Sequence, residues 1–225
     1  MPLYGWQVWR RLLFVHWPVP PAVLRPLVPS GLSLDLFEGQ AYLGLVLFSV
    51  EDARPLAALP LTLRFLETNV RTYVTLPGGD APGVYFLSLD AGSLLAVLGA
   101  RVFLGLPYFW ATGQETTEYS LWRRTGSHAG VRARYHVGEP LGAARPETLD
   151  HFLIERYLLH TRRGPSLWSV RVHHQPYPLR RAELVQLEQA LSTAAGVPAL
   201  PEPPLVHYAT GVDVRIDPPR IRLRG

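Results

Sequence analysis

Apolar and polar positions alternate with a period of two along much of the chain, the signature of half-buried strands. Ser33–Glu38 sets Leu34 and Leu36 against Ser33 and Asp35 and predicts a strand. Glu38-Gly39-Gln40 supplies a hairpin turn, and Ala41–Val50 follows as an almost wholly apolar run. Such a run predicts a strand buried on both faces or set in a barrel wall. Thr62–Leu76 is two-faced. One parity carries Phe65, Glu67, Asn69, Arg71 and Tyr73, and the other carries Leu66, Thr68, Val70, Thr72 and Val74. The turn Pro77–Gly83 returns the chain to a strand at Val84–Leu89. Gln114–Arg123 and Val131–Val137 predict a second hairpin, Leu167–His173 a further strand, and Leu205–Ala209 with Val212–Ile216 a closing strand pair.

Helical spacing is confined to short stretches. Pro20–Val28 opens with prolines, and Ser93–Phe103 lies between Gly92 and Gly105 with Ser93 as its cap. Pro146–Tyr157 carries Glu147 and Asp150 early, and Arg180–Ala195, ended by Gly196 and Pro198, is the longest predicted helix. The regular strand–helix alternation of a parallel doubly wound sheet is missing. The pattern predicts a strand-dominated α+β fold on a closed or nearly closed antiparallel barrel, with about three peripheral helices. No repeat or low-complexity linker divides residues 1–225, which predicts one domain.

Composition narrows the chemistry. Of 225 residues, 48% are hydrophobic and 18% charged, which excludes a disordered chain. The sequence has no Cys, so disulfides, thiolate metal sites and a cysteine nucleophile are excluded. It also has no Lys: all 22 basic residues are Arg, which excludes a lysine Schiff base and a P-loop lysine. The net charge of +4 comes from scattered Arg pairs and not from a basic arm, so no nucleic-acid partner is expected. Trp6, Trp9 and Arg10-Arg11 break up the N-terminal run, which does not read as a signal peptide, and no apolar stretch reaches the length of a membrane span. The expectation is a cytoplasmic protein without a membrane partner, and a homo-oligomer stays open.

The eight His residues lack metal-ligand spacing, and the sequence holds no G-x-S-x-G, G-x-G-x-x-G or Walker motif. No metal and no cofactor is therefore expected. The row Glu67, Asn69, Arg71 and Tyr73 stands apart, because four groups able to bind a polar ligand share one strand face. Turned into a barrel lumen, that face would line a cavity. Turned outward, it would be a solvated face with a Glu–Arg pair.

Seven blocks occur in order: the run from His16 to Phe48, Phe65–Val74, Gly83–Ala91, Leu106–Ala111, Glu155–His160, Val172–Leu179 and His207–Val214. Together they resemble the YqjF-like proteins, a domain-of-unknown-function family of the acetoacetate-decarboxylase-like superfamily. The resemblance implies a cone-shaped antiparallel barrel, helices outside it and a small-molecule cavity within. The decarboxylases carry a Gly-x-Pro-Lys-Lys-x-Ala-like block, and the matching stretch here is Gly105-Leu106-Pro107-Tyr108-Phe109-Trp110-Ala111. Glycine and proline are kept, while Tyr108 and Phe109 replace the lysines. A tyrosine cannot form an imine, so the decarboxylase role does not carry over. Glu67 looks similar to the pocket glutamate of that superfamily, and Arg25 is the nearest match to its N-terminal pocket arginine. The expected ligand is a small organic acid or carbonyl compound lined by Glu67, Asn69, Arg71, Tyr73 and Tyr108. Whether it is turned over stays open. The alternative is a structural or interaction protein whose barrel is filled by side chains.

Overall fold

The computed structural model describes residues 5–54, 62–198 and 200–223. Thirteen strands form one hydrogen-bonded sheet: β1 (Gly5–Val19), β2 (Ser33–Leu34), β3 (Ala41–Arg54), β4 (Leu63–Thr75), β5 (Gly83–Ala91), β6 (Tyr108–Glu115), β7 (Tyr119–Arg123), β8 (Gly130–Gly142), β9 (Leu158–Arg163), β10 (Ser166–His173), β11 (Leu179–Gln189), β12 (Leu205–Ile216) and β13 (Arg220–Leu223). Four short helices accompany them: α1 (Pro21–Leu24), α2 (Leu94–Leu104), α3 (Leu149–Ile154) and α4 (Leu191–Ala194). Among the described residues no helix is long and apolar enough to cross a membrane.

The strands close on themselves twice. Strands β5-β4-β3-β1-β12 form a common five-stranded wall. From it, β6-β7-β8-β11 complete one ring and β9-β10 complete another. The wall splits where its edge strands change partner. In β5, Val84 and Tyr85 pair with β9, while Leu89–Ala91 pair with β6. In β12, His207–Ala209 pair with β11, while Arg215 and Ile216 pair with β10. Pairing is antiparallel throughout except at these two short parallel contacts of β5.

A wall with a ring on each side is buried on both faces, and this accounts for the apolar runs of β1 and β3. Phe14, Tyr42, Val46, Phe48 and Tyr73 pack into a first core with α3, β9 and β10. The opposite parity, Leu13, Val15, Trp17, Leu43, Leu45, Leu47 and Val70, packs into a second core with α1, α4 and β6–β8.

Several sequence expectations need correction. Arg180–Ala195 has a fair helical pattern, yet Leu179–Gln189 is strand β11. It pairs along β8, and a register shift between Leu184 and Gln186 lets Leu184 and Leu187 both face the second core. Tertiary pairing overrides local propensity here. The predicted strand Gln114–Arg123 contains a tight turn, with Thr116 N–H donating to Glu118 O at 3.0 Å. Leu205–Ile216 is one strand and not a pair, because β1 runs beside nearly its whole length. The helix expected over Pro146–Tyr157 is limited to α3, capped by Thr148. Ser33–Glu38 keeps only two strand residues, and β1 has no counterpart among the expected elements. Helix α2 matches its expectation: the Ser93 hydroxyl accepts from Ala96 N–H at 3.3 Å, and Gly105 ends the helix with φ of 66°.

Candidate functional site

The polar row of β4 faces inward, toward the first core. Its neighbours of opposite parity settle this, since Thr68 reaches Tyr119 and Val70 packs in the second core. Glu67, Asn69, Arg71 and Tyr73 are all buried, so the solvated-face reading is wrong for this strand.

Glu67 lies between Phe48 of β3 and Ala91 of β5. Tyr108, the first residue of β6, donates its hydroxyl to Glu67 Oε2 at 3.0 Å. Burial pushes the Glu67 carboxyl up to about 8, and the nearby Asp90 charge adds to this while the Tyr108 hydrogen bond opposes it. The Tyr108 phenol is also pushed well up, by burial first and then by Glu67. The pair is therefore an acid and a phenol that both hold their protons at neutral pH. Across the wall the Tyr119 hydroxyl donates to the Glu67 backbone oxygen at 2.9 Å, which pins the strand at this point.

Arg71 has different company. Its Nη2 donates to the backbone oxygen of Leu153 at 3.0 Å, and the Tyr73 hydroxyl donates to the same oxygen at 2.7 Å. Leu153 belongs to α3, so the helix closes over this part of the core. The guanidinium lies 5.7 Å from the Phe14 ring and 5.8 Å from the Tyr73 ring. Arg71 Nε has no hydrogen-bond partner, and among the described residues no carboxylate forms an ion pair with Arg71. Asn69, between Glu67 and Arg71 on the strand, leaves its Oδ1 unpartnered.

The sequence singled out neither His16, which stands beside Arg71, nor His207, whose charge acts on His16. The register runs His16–Gly44–Arg71 across β1, β3 and β4. His207 of β12 lies opposite Phe14, and its Nε2 meets Asp150 Oδ1 at 3.0 Å. His16 is fully buried, stacks on Phe14 with ring centroids 6.4 Å apart, and leaves both ring nitrogens unpartnered. Burial, then the Arg71 and His207 charges, hold its imidazole well below the usual histidine range. The signal was an ionisable residue at a core parity inside the apolar run of β1.

The structure thus joins Glu67 to Tyr108 and Arg71 to Tyr73, with Asn69 between the two pairs. Arg25 is not part of the site. Its guanidinium staples the following loop through Leu32 O at 2.6 Å, Val28 O at 2.5 Å and Pro29 O at 2.9 Å. Two surface clefts open elsewhere. One of about 510 Å³ lies between β11 and Glu202–Pro204, and one of about 500 Å³ lies between the Gln175–Pro178 loop and Thr210–Asp213.

A family model described as DUF2071, uncharacterized conserved protein, matches residues 6–213. The chain belongs to this family. It is 39% identical over 221 residues to the uncharacterized protein YqjF of Bacillus subtilis strain 168, covering 95% of this chain and 90% of that one. Among solved structures it is similar to acetoacetate decarboxylase from Legionella pneumophila, with a TM-score of 0.65 at 12% identity over 99% of this chain and 89% of that one. It is equally similar to the enduracididine biosynthesis enzyme MppR complexed with pyruvate, with a TM-score of 0.65 at 14% identity over 98% and 91% of the two chains. The fold is therefore acetoacetate-decarboxylase-like, as the ordered sequence blocks imply.

Proposed function

We propose that the first core binds a small organic acid or carbonyl compound, with Arg71 holding its carboxylate and the Glu67–Tyr108 pair facing polar oxygens nearer β6. The observation that carries this reading is Arg71 itself. A buried guanidinium normally has a carboxylate beside it, because taking a charge out of water costs several kcal/mol. Here a helix carbonyl takes one N–H and Nε is left over. A ligand carboxylate would supply the missing anion, and Arg presents a fork suited to it. MppR, which shares the fold, is a protein complexed with pyruvate.

The chemistry open to the site is non-covalent. With no Lys in the sequence, no side chain offers an amine for a Schiff base. Glu67 and Tyr108 are proton donors at neutral pH and suit a carbonyl or enolate oxygen. Isothermal titration with pyruvate, acetoacetate and propanoate, with propanamide as the neutral control, tests the reading. The acids should bind wild type, propanamide should not, and Arg71→Met should lose at least ~10-fold in affinity, the scale of a charged hydrogen bond. Borohydride reduction in the presence of acetoacetate should leave no adduct on any side chain. A second reading is favoured by the rings packed round Arg71 and by the two clefts opening elsewhere: an interior filled by its own side chains, serving a structural or interaction role. On that reading none of the acids binds and Arg71→Met changes nothing in the titration.

A further inference from the structure

Helix α2 is apolar round most of its circumference. Leu94–Leu104 carries Arg101 as its single charged residue, and the rest is Leu, Val, Ala, Gly and Phe. A helix of that composition is normally covered on all sides. Here one flank is covered: Val97 is buried and Leu104 packs on the first core. At 100° per residue, Leu94, Leu98, Val102, Leu95, Gly99 and Phe103 follow one another round the opposite half. The five large side chains of that half are exposed, from 46% at Leu94 to 63% at Val102. They are five of the twelve exposed large hydrophobics among the described residues. Single exposed apolar residues are ordinary on a protein surface, whereas a contiguous apolar face marks an interaction site.

The helix is fixed at both ends, so this face is held outward. Ser93 caps the first turn, and Arg163 clamps the last, with Nη1 donating to Phe103 O at 3.0 Å and Nη2 to Val102 O at 3.2 Å. Arg101 is drawn to the edge of the face, where its Nε donates to Tyr108 O at 2.7 Å and its guanidinium lies 5.7 Å from the Phe109 ring. Gly99 is the midpoint of Leu94–Leu104, and nothing lies within 4 Å of the place its Cβ would take. Its φ is not positive, so the backbone does not require glycine there. Glycine in mid-helix lowers helix stability relative to alanine. On this face it leaves a notch between Leu95 and Phe103, which stand one turn away on either side.

We propose that α2 pairs with α2 of a second copy of this chain, antiparallel and crossing at Gly99, in a twofold-symmetric dimer. A twofold axis matches a surface with itself. With Gly99 on the axis, Leu95 of each copy lies against Phe103 of the other, and no charged residue falls within the contact. The five exposed side chains offer roughly 500 Å² per copy, so pairing buries ~1,000 Å², the lower edge of specific interfaces. That size gives a reversible dimer with dissociation in the micromolar range. A lipid surface fits this face less well. Helices that lie on membranes carry several Lys or Arg along the polar side, and α2 has one Arg, engaged by Tyr108 O. The pairing is independent of whether the first core binds an acid.

Sedimentation velocity across the micromolar concentration range tests the pairing. Wild type should shift from monomer to dimer as concentration rises. Leu95→Glu combined with Val102→Glu should stay monomeric throughout with unchanged thermal unfolding, because both side chains are exposed. The chain has no Cys, so a single introduced thiol reports on the crossing point. Helix axes about 9 Å apart bring facing Cα atoms to about 5 Å, within reach of a disulfide. Gly99→Cys should therefore form a covalent dimer on mild oxidation, and Glu183→Cys, exposed on β11, should not. A wild type that stays monomeric overturns the proposal, as does a dimer that survives both glutamates. Gly99→Cys that cross-links no faster than Glu183→Cys overturns the crossing. Monomeric wild type that co-sediments with phosphatidylcholine–phosphatidylserine vesicles, with the binding lost in the double glutamate variant, assigns the face to lipid and overturns the dimer.

Discussion

Arg71, on β4 of the five-stranded wall, faces the first core, and Arg123, on β7 across the second core, reaches Asp90 of the wall strand β5; both arginines are buried, and their surroundings differ in kind. On the second-core side, Arg123 forks onto Asp90 with Nε to Oδ1 at 2.5 Å and Nη2 to Oδ2 at 3.1 Å. Phe109 lies 3.8 Å beneath the guanidinium, and Ser127 accepts from Nη1 at 3.3 Å. On the first-core side, Arg71 has one backbone carbonyl, an idle Nε and two idle histidine nitrogens for neighbours. A buried charge kept for architecture is closed by its own chain, as Arg123 is. A buried charge left open by its own chain is suited to closure by something else. The fold therefore holds one buried arginine closed by a carboxylate and, a few strands away, one whose side chain has, among the described residues, a backbone carbonyl as its only hydrogen-bond acceptor.

The largest expected effect comes from breaking the closed side. Asp90→Ala strands the Arg123 charge in the second core, and removal of one partner of a buried pair costs about 3–5 kcal/mol. Urea unfolding should show that loss. Arg71→Met removes a charge that has no ion-pair partner to strand, and Leu153 O keeps the Tyr73 hydroxyl. Its stability should stay within ~1 kcal/mol of wild type or rise. Equal losses in the two variants would erase the distinction between the arginines.

Glu67 supplies the next effect, on the order of 2–4 kcal/mol. Its carboxyl is raised from 4.5 to about 8 in the folded protein. Between those values the unfolded chain gives up the proton while the folded protein keeps it, so stability falls as pH rises through that window. Above about 8 the loss levels off. Glu67→Gln cannot ionise, so its stability should lack this slope and exceed that of wild type at pH 8, while matching it near pH 4. Chemical unfolding from pH 4 to 9 reads the difference directly. Parallel curves for the two proteins would mean that Glu67 is already ionised in the folded state.

Much of the wall was legible in the sequence, and the reasons are local. Ala41–Val50 is apolar at both parities because a core lies on each side of it. The two-faced pattern of Thr62–Leu76 put Glu67, Asn69, Arg71 and Tyr73 on one face, as found. What the sequence hid depended on long-range register. His16 and Arg71 are separated by 54 intervening residues and meet only through Gly44, a pairing set by two hairpin-like contacts that no local pattern encodes. The Arg180–Ala195 stretch offered helical spacing at Leu184, Leu187 and Leu191, and only pairing with β8 turned its first two-thirds into a strand. Tyr108 was found through the block Gly105–Ala111. Its partner Glu67 was proposed on β4 by resemblance, and their 3.0 Å hydrogen bond joins two strands that are not adjacent in the sheet.

The smallest expected effect is the most specific to the open side. In the folded protein His16 is held neutral by burial, by Arg71 and by His207. Below the ordinary histidine value of 6.5 the unfolded chain takes up a proton there and the folded protein does not. Stability attributable to His16 is therefore complete above pH 6.5 and is lost as pH falls below it, at up to ~1.4 kcal/mol per pH unit. His160 and His174 are also lowered by burial and add slopes of the same sign. The wild-type profile is a sum, and the informative quantity is the difference between wild type and His16→Phe. That difference should shrink by about 1 kcal/mol between pH 6.5 and 5.5, because the variant has no imidazole to charge. Arg71→Met provides the sharper comparison. It removes the charge that opposes protonation of His16, so the wild-type slope below pH 6.5 should become shallower in that variant. A His16 contribution unaffected by Arg71→Met would mean that the guanidinium charge does not act on the imidazole packed beside it over Gly44.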